Sequence, residues 1–294
     1  MASSMSGIVV IDKPQGITSH DVVAAVRKKI GTRKVGHAGT LDPMATGVLV
    51  IGVNQATRLL DFIVAGTKEY EATVRLGQTT VSDDADGEVV ATSDAAHLTD
   101  LEILAAFSPF QGKISQLPSK VSAKKIDGKR AHELVREGVE FELKPKDVEI
   151  FELEVREISR NAVFVDVKIR VKCSAGTYIR SIARDAGENL KVGGHLIALR
   201  RTLVAPFDLS IAQNLESELV LTPMYTATTS VLPTFEVARS VALEITFGKP
   251  LASDLVSASG ISAITFNNRV MAIVENSGGP ELKYRAVLAT ELED

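Results

Sequence analysis

The sequence predicts an α+β fold with a central mixed, largely antiparallel sheet flanked by helices, followed by a small β-rich module. Three observations point there. Strand-like and helix-like segments are interspersed without the regular βαβ rhythm of a doubly wound sheet. The segment Lys68 to Leu76 alternates apolar and polar residues, as a half-exposed strand does. From about Ser240 onward, short apolar runs such as Ala263-Ile264-Thr265-Phe266 and Val270-Met271-Ala272-Ile273-Val274 alternate with the turns Asn267-Asn268 and Asn276-Ser277-Gly278-Gly279-Pro280. A length of 294 residues suits one large domain and a smaller one.

Taken in order, Gly7 to Asp12 reads as a buried strand that ends in the turn Lys13-Pro14-Gln15-Gly16. A helix follows. Thr18 or Ser19 can cap it, Asp21 suits its first turn, Val22, Val23, Val26 and Ile30 keep one apolar face, and Gly31 can end it. Val48 to Ile51 is an apolar strand, Gln55 to Ala65 reads as helical, and the Lys68 strand places Tyr70, Ala72, Val74 and Leu76 on one face. Thr99 to Phe107 is a capped helix. Lys120 to Ile126 reads as a strand running into the turn Asp127-Gly128, and Ala131 to Glu137 as a helix ended by Gly138. Two long strands near Val148–Val155 and Val163–Lys172 precede a helix over Thr177–Leu190 and a strand over Leu196–Val204. Ser210 to Arg239 is a less patterned connection.

One loop stands out chemically. Gly36-His37-Ala38-Gly39-Thr40-Leu41-Asp42-Pro43-Met44-Ala45-Thr46-Gly47 sets one acid and one imidazole among three glycines, just before the Val48 strand. Glycine permits backbone conformations that strain other residues, and Pro43 restricts Asp42 toward extended geometry. The loop is built to hold a carboxylate in place. By spacing alone it serves equally as an ordinary turn before a strand.

Composition narrows the function. No apolar run approaches a membrane span and Met1 to Ser6 lacks a signal-peptide pattern, so a cytoplasmic protein is expected. The single cysteine, Cys173, excludes an intrachain disulfide and the usual zinc motifs, and there is no phosphate-binding Walker loop. Neither metal nor cofactor is expected. The net charge of −4 hides segregation: Arg27, Lys28, Lys29, Arg33 and Lys34 form one basic run. Lys113, Lys120, Lys124, Lys125, Lys129, Arg130 and Arg136 form a second, and Lys168 to Arg201 carries a further excess. Acids gather at Asp83 to Glu102 and again after Asp208. Converging basic segments would make a polyanion site; apart, they are solvated faces.

The motifs taken together resemble a known family. Val10-Ile11-Asp12-Lys13-Pro14 with Thr18-Ser19, the Gly36–Pro43 loop, Tyr70-Glu71-Ala72 through Leu76-Gly77, Pro118 to Lys124, Cys173 to Arg180 and Leu199-Arg200-Arg201-Thr202 are similar, in that order, to motifs of the bacterial TruB family of tRNA pseudouridine-55 synthases. The resemblance covers roughly Gly7 to Phe207. Ser82, His132 and Ala205 stand where the family usually has threonine, tyrosine and glycine.

The resemblance implies a pseudouridine-synthase fold with a catalytic domain over 7–212, a connection over 213–239, a shortened PUA-like RNA-binding domain over 240–294 and a disordered 1–6. The implied reaction breaks the N1 glycosidic bond of a uridine in the tRNA T loop, turns the uracil and rejoins it through C5, with no energy input, redox partner or metal. Asp42 would be nucleophile or base, since a carboxylate with a pKa of about 4 is ionised at neutral pH. Arg180 would pair with it and keep its pKa low. Tyr70 would stack on the target ring and assist the last proton loss, with Tyr178 and Leu199 as further walls of the pocket. His37 would take the place of the extruded base. Lys13 and Arg58 would contact phosphate or loop, and Asp84 would order the site. The expected partner is the T-arm of tRNA and the expected state a monomer. Two other readings remain at this point: a non-catalytic tRNA-binding and folding module, and a sugar or nucleotide hydrolase needing a second acid. Asp42 separates them.

Overall fold

In the computed structural model the chain is described over residues 5–119, 125–126, 129–130, 143–289 and 291–292. Its strands in chain order are β1 (Gly7–Lys13), β2 (Val35–His37), β3 (Thr46–Val53), β4 (Lys68–Leu76), β5 (Gln78–Thr80), β6 (Val89–Thr92), β7 (Gly112–Gln116), β8 (Lys125–Ile126), β9 (Lys129–Arg130), β10 (Lys146–Asn161), β11 (Phe164–Cys173), β12 (Gly194–Val204), β13 (Phe207–Asp208), β14 (Gln213–Asn214), β15 (Thr222–Pro223), β16 (Thr234–Glu236), β17 (Leu251–Ala252), β18 (Gly260–Phe266), β19 (Arg269–Asn276) and β20 (Glu281–Val287). The helices are α1 (Ser19–Ile30), α2 (Leu60–Ala65), α3 (Asp100–Phe107), α4 (Ile179–Asn189), α5 (Met224–Val231) and α6 (Arg239–Thr246).

The main sheet runs β14-β1-β3-β12-β4-β11-β10-β7. It is mixed, with β3 and β12 parallel and the pairs β1/β3, β12/β4, β4/β11, β11/β10 and β10/β7 antiparallel. Parallel pairing of β3 and β12 occupies only Thr46↔Arg200 and Gly47↔Arg201, so a two-residue seam joins the halves of the sheet.

Strands β1 and β3 are buried on both faces. Val9, Ile11, Leu49 and Ile51 meet Val22, Val23 and Val26 of α1. Thr18 caps that helix, accepting from the Asp21 amide in a capping box, and Gly31 ends it at φ 74°. On the reverse face Ile8, Val10, Val48 and Val50 share one apolar cluster with Ala227 of α5 and with Ala263, Val270 and Ile273 of the second sheet. Beside β4 and β11, α3 and α4 cover a third cluster that includes Val74, Ile103, Phe107, Val167 and Ile182.

Some local expectations differ from what the chain does. The Gln55–Ala65 segment starts as a 3-10 turn over Asn54–Leu59 before α2. Residues 213–239 were expected as a sparse connection, yet they carry α5, and β14 and β15 flank β1. Thr228 Oγ1 donates to the Met224 carbonyl at 2.8 Å and its residue is fully buried, so tertiary packing holds a helix whose threonines are poor helix formers. The second sheet, β16-β18-β19-β20-β17, begins already at Thr234. At the other end Met5 and Ser6 are tied down: the Met5 carbonyl accepts from Asn54 Nδ2 at 2.9 Å and Ser6 Oγ from the Gln55 amide at 3.2 Å. The expected helix Ala131–Glu137, residues 120–124 of the expected strand, the Asp127-Gly128 turn and the family position His132 lie outside the described residues.

Phe107, 1% exposed under the sheet, should be a costly truncation. Phe107→Ala is expected to lose about 3–5 kcal/mol in equilibrium urea unfolding, through lost burial and the cavity left behind.

Candidate active site

The Asp42 loop is pinned along its length. Ser19, expected as a possible cap, instead faces the loop: its Oγ accepts from the Leu41 amide at 2.8 Å and donates to the Leu41 carbonyl at 3.0 Å. The Gly16 amide donates to the Pro43 carbonyl at 2.8 Å, and the Ala45 amide to the Asp42 carbonyl at 3.1 Å. Gly47 has φ 99°, and a Cβ there would lie 2.2 Å from the Arg201 carbonyl oxygen, so only glycine admits β12 at the seam.

Asp42 opens onto a cavity of about 350 Å³ lined also by Lys68, Tyr70, Tyr178, Arg180, Leu199 and Arg201. Five residues expected at the site, Asp42, Tyr70, Tyr178, Arg180 and Leu199, therefore share one wall system although they span the chain from the loop to β12. A larger groove, about 600 Å³, lies past Leu199 and is lined by Thr46, Glu71, Thr73, Lys168 and Arg200 among others. It is the less promising of the two, because Asp42 is not in its wall.

Arg180, in the first turn of α4, bridges two acids. Its Nη2 is 3.1 Å from Asp42 Oδ2, and its Nη1 is 3.1 Å from Asp84 Oδ2 while donating to the Ser82 carbonyl at 2.9 Å. Its side chain is 7% exposed, that of Asp84 5% and that of Asp42 36%. Asp84 also accepts from Ser82 Oγ and, at 3.2 Å, from the Asp86 amide. The departure at Ser82 keeps the hydroxyl that this carboxylate uses. Tyr178 caps α4 and is held by Gln116, whose Oε1 accepts from the Tyr178 amide at 2.8 Å and whose Nε2 donates to the Tyr178 carbonyl at 2.9 Å.

Electrostatics correct one expectation. Arg180 was expected to keep the Asp42 pKa low, yet burial pushes the carboxyl above its ordinary 3.8, with Arg180 opposing the rise and the nearby acids Asp84 and Asp86 adding to it. The exposed third of the side chain opens into a narrow cleft, where water solvates a charge less well than bulk solvent does. Arg180 is also divided between two carboxylates. Burial likewise pushes the Tyr70 phenol above 10.0, with the Arg201 charge pulling it back, and brings the Lys68 ammonium down to about 8.

Three other expected contacts, Lys13, Arg58 and His37, are not part of the cavity wall. Lys13 is fully buried, and its Nζ donates to the carbonyls of Pro14 at 2.9 Å, Ile17 at 2.7 Å and Pro43 at 3.3 Å. It braces the loop and cannot reach a phosphate. Burial lowers its ammonium to about 8. Arg58 is exposed on the 3-10 turn and is not in the cavity wall. His37 ends β2 outside the cavity wall, its ring edge-to-face with His20 at 5.5 Å. Of the basic cluster, Lys120, Lys124 and Arg136 lie outside the described residues.

Arg201, Lys68, Gln116 and Ser19 join the site although none was expected there as an individual site residue. For two of them a signal existed: Arg201 is two positions from Leu199 and Lys68 two from Tyr70, so each shares a strand face with an expected wall residue. Among the described residues no cluster of three or more His, Cys, Asp or Glu could hold a metal ion, and no helix is long and apolar enough to cross a membrane.

Asp42→Asn removes the burial cost of an ionised carboxylate. A carboxyl whose folded pKa is raised adds stability at low pH that is lost as pH rises from 3.8 through the folded value. The variant is therefore expected to melt above the wild type at pH 7, the gap closing as pH falls toward 3.8. Melting curves across that range check it; a variant that melts lower at pH 7 would mean that the Arg180 pair outweighs burial.

Known proteins share both the sequence and the fold. The family model described as "TruB family pseudouridylate synthase (N terminal domain)" matches residues 27–179. Proteins named tRNA pseudouridine synthase B are 50% identical over 85% of this chain and 82% of their own in Paenarthrobacter aurescens, and 58% over 72% and 70% in Rhodococcus jostii. The one from Corynebacterium glutamicum is 47% identical over 92% of this chain and 93% of its own. A chain of a solved Cbf5-Nop10-Gar1 complex superposes with a TM-score of 0.71 at 26% identity, covering 96% of this chain and 84% of that one. A chain of an H/ACA RNP bound to a substrate RNA has the same fold, with a TM-score of 0.71 at 24% identity, over 97% of this chain and 86% of that one. With its loop, its cavity and its sequence in agreement, this chain belongs to the TruB family of pseudouridylate synthases.

Proposed function

We propose that this protein isomerises uridine 55 in the T loop of tRNA to pseudouridine, with Asp42 as the reacting carboxylate. The observation that carries the reading is the Asp42–Arg180 pair, 3.1 Å apart, in the wall of a cavity large enough for one nucleobase and flanked by Tyr70, Tyr178 and Leu199. The shared name of relatives 47–58% identical supports tRNA as the substrate.

A base stacked within the T loop must first be extruded, at a cost of a few kcal/mol recovered by new stacking and hydrogen bonds. His37, five positions before Asp42, would hold the vacated place in the RNA. Within the cavity, Tyr70 and Tyr178 supply ring faces and Leu199 an apolar wall, so the cleaved uracil stays beside the sugar. Asp42 is reactive only when ionised; burial opposes that form and Arg180 supports it. Asp84 and the Ser82 carbonyl fix Arg180 from behind. The uracil then turns and C5 bonds to the ribose, after which the proton on C5 leaves with Tyr70 as acceptor. No metal or cofactor enters the scheme. The protein would act as a cytoplasmic monomer, its PUA-like second sheet extending the contact with the tRNA.

Incubation with an isolated T-arm stem-loop, followed by chemical mapping of pseudouridine, tests the reading. Asp42→Asn should lower product formation by at least about 10⁴-fold, the scale on which loss of an essential nucleophile acts. Its affinity for tRNA should change little. Substantial residual turnover would sink the role given to Asp42, and free uracil among the products would favour a hydrolase. Binding should weaken steeply with salt if it rests on Lys and Arg contacts to phosphates, which a titration between 50 and 200 mM salt measures. A flat titration would put the basic segments off the RNA path.

A further inference from the structure

Arg201 is 1% exposed and is among the largest fully buried side chains of the molecule. It sits on β12 directly opposite Tyr70 of β4, and both line the Asp42 cavity. Its Nε donates to the Val48 carbonyl at 2.8 Å, its Nη2 to the Gly39 carbonyl at 3.0 Å, and its Nη1 to the Thr40 carbonyl at 3.5 Å. These bonds brace the loop, but a brace does not require a charge. A buried cation is either paired with an acid, as Arg180 is with Asp42 and Asp84, or is an ammonium on carbonyls that can shed its proton, as Lys13 and Lys68 are; a guanidinium cannot shed its own. Among the described residues no carboxylate lies within ion-pair distance of Arg201. Its charge is left for a group inside the cavity.

We propose that Arg201 is a positioning residue that acts through Tyr70, locking the phenol to the Asp42 loop and supplying the positive charge that lets the phenol oxygen accept the C5 proton. The inference rests on the isomerase reading with Tyr70 as that acceptor. In the step concerned, the new bond from C5 to ribose is already made. The C5–H bond breaks and its proton goes to the Tyr70 phenolate oxygen. The electron pair enters the ring as the C5=C6 double bond, the former N1=C6 pair moves onto N1, and N1 takes a proton from water, whose hydroxide removes the phenol proton and restores water and the phenolate. Atoms and charge balance with no further reactant.

Around the phenol stand Arg201 from β12, Cys173 from β11 and Asp42 from the loop; Lys68, on the same strand and in the same cavity wall, donates from its ammonium to the carbonyls of Ile63, Val64 and Gly66. Cys173 and Asp42 oppose its ionisation and Arg201 favours it.

The chain has no tryptophan and four tyrosines, so phenol ionisation can be followed by absorbance, and subtraction of a Tyr70→Phe titration isolates Tyr70. Arg201→Gln keeps donors without charge; Arg201→Lys keeps charge without the fork. In R201Q the Tyr70 phenol is expected to ionise at least about one pH unit higher than in the wild type, and the rising limb of the single-turnover pH profile to move by the same amount, a tenfold loss at a fixed pH on that limb. R201K should restore both toward the wild type. A uniform loss of rate in R201Q, with limb and titration unmoved, would reduce Arg201 to a brace and overturn the proposal. Should R201Q misfold, R201M is read the same way. Product mapping with the wild type tests the isomerase reading separately, and the phenol titration decides on Arg201 whichever way that mapping falls.

Discussion

Two residues on each side hold the main sheet together. Thr46 and Gly47 of β3 meet Arg200 and Arg201 of β12, and on either side of that seam the strands pair among themselves. The approach is possible because Gly47 has no Cβ. The Asp42 loop feeds directly into this crossing, which explains why residues distant in sequence converge there. Asp42 arrives with β3, Leu199 and Arg201 with β12, and Tyr70 with β4, the other neighbour of β12. A strand order with β12 elsewhere would leave the acid in an ordinary turn.

The same convergence sets the charge balance. Around one cavity stand Asp42, Lys68, Arg180 and Arg201, with Asp84 behind. Neutral uracil needs none of these charges for binding alone. Groups of opposite preference held in a cavity of restricted solvation suit the proposed isomerisation, in which charge would appear on sugar, base and phenol in turn. Burial raises the cost of every such charge, and fixed partners lower it selectively.

What could be read beforehand followed the range of the forces involved. The cap at Thr18, one of two candidates, Asp21 in the first turn, the Gly31 stop and the alternation of Lys68 to Leu76 are local, and each appears where the residues place it. The ordered motifs brought Asp42, Tyr70, Tyr178, Arg180 and Leu199 to the page without geometry. Lys13 and Arg201 were harder, because a cation in a strand reads as solvent-facing and only the tertiary structure supplies carbonyl partners 30 and more than 150 positions away. The raised Asp42 carboxyl escaped for a related reason: pairing with one arginine could be foreseen, but not the depth of the cleft or the second acid that shares it. Helix α5 was hidden by its threonines, and its register comes from Ala227 and Thr228 packed inside.

The apolar cluster shared by the two sheets gives the C-terminal module a duty unrelated to RNA. Ala263, Val270, Ile273 and Leu288 belong to the cluster that also holds Ile8, Val10, Val48 and Val50, and Gln55 Nε2 donates to the Leu288 carbonyl at 2.7 Å. A chain trimmed after Leu232 would open part of this cluster to water directly beneath β3, the strand that follows the Asp42 loop. The second sheet is thus a structural lodger that cannot be evicted cleanly: shortening in descent, or minimisation at the bench, would have to replace that surface before removing anything else.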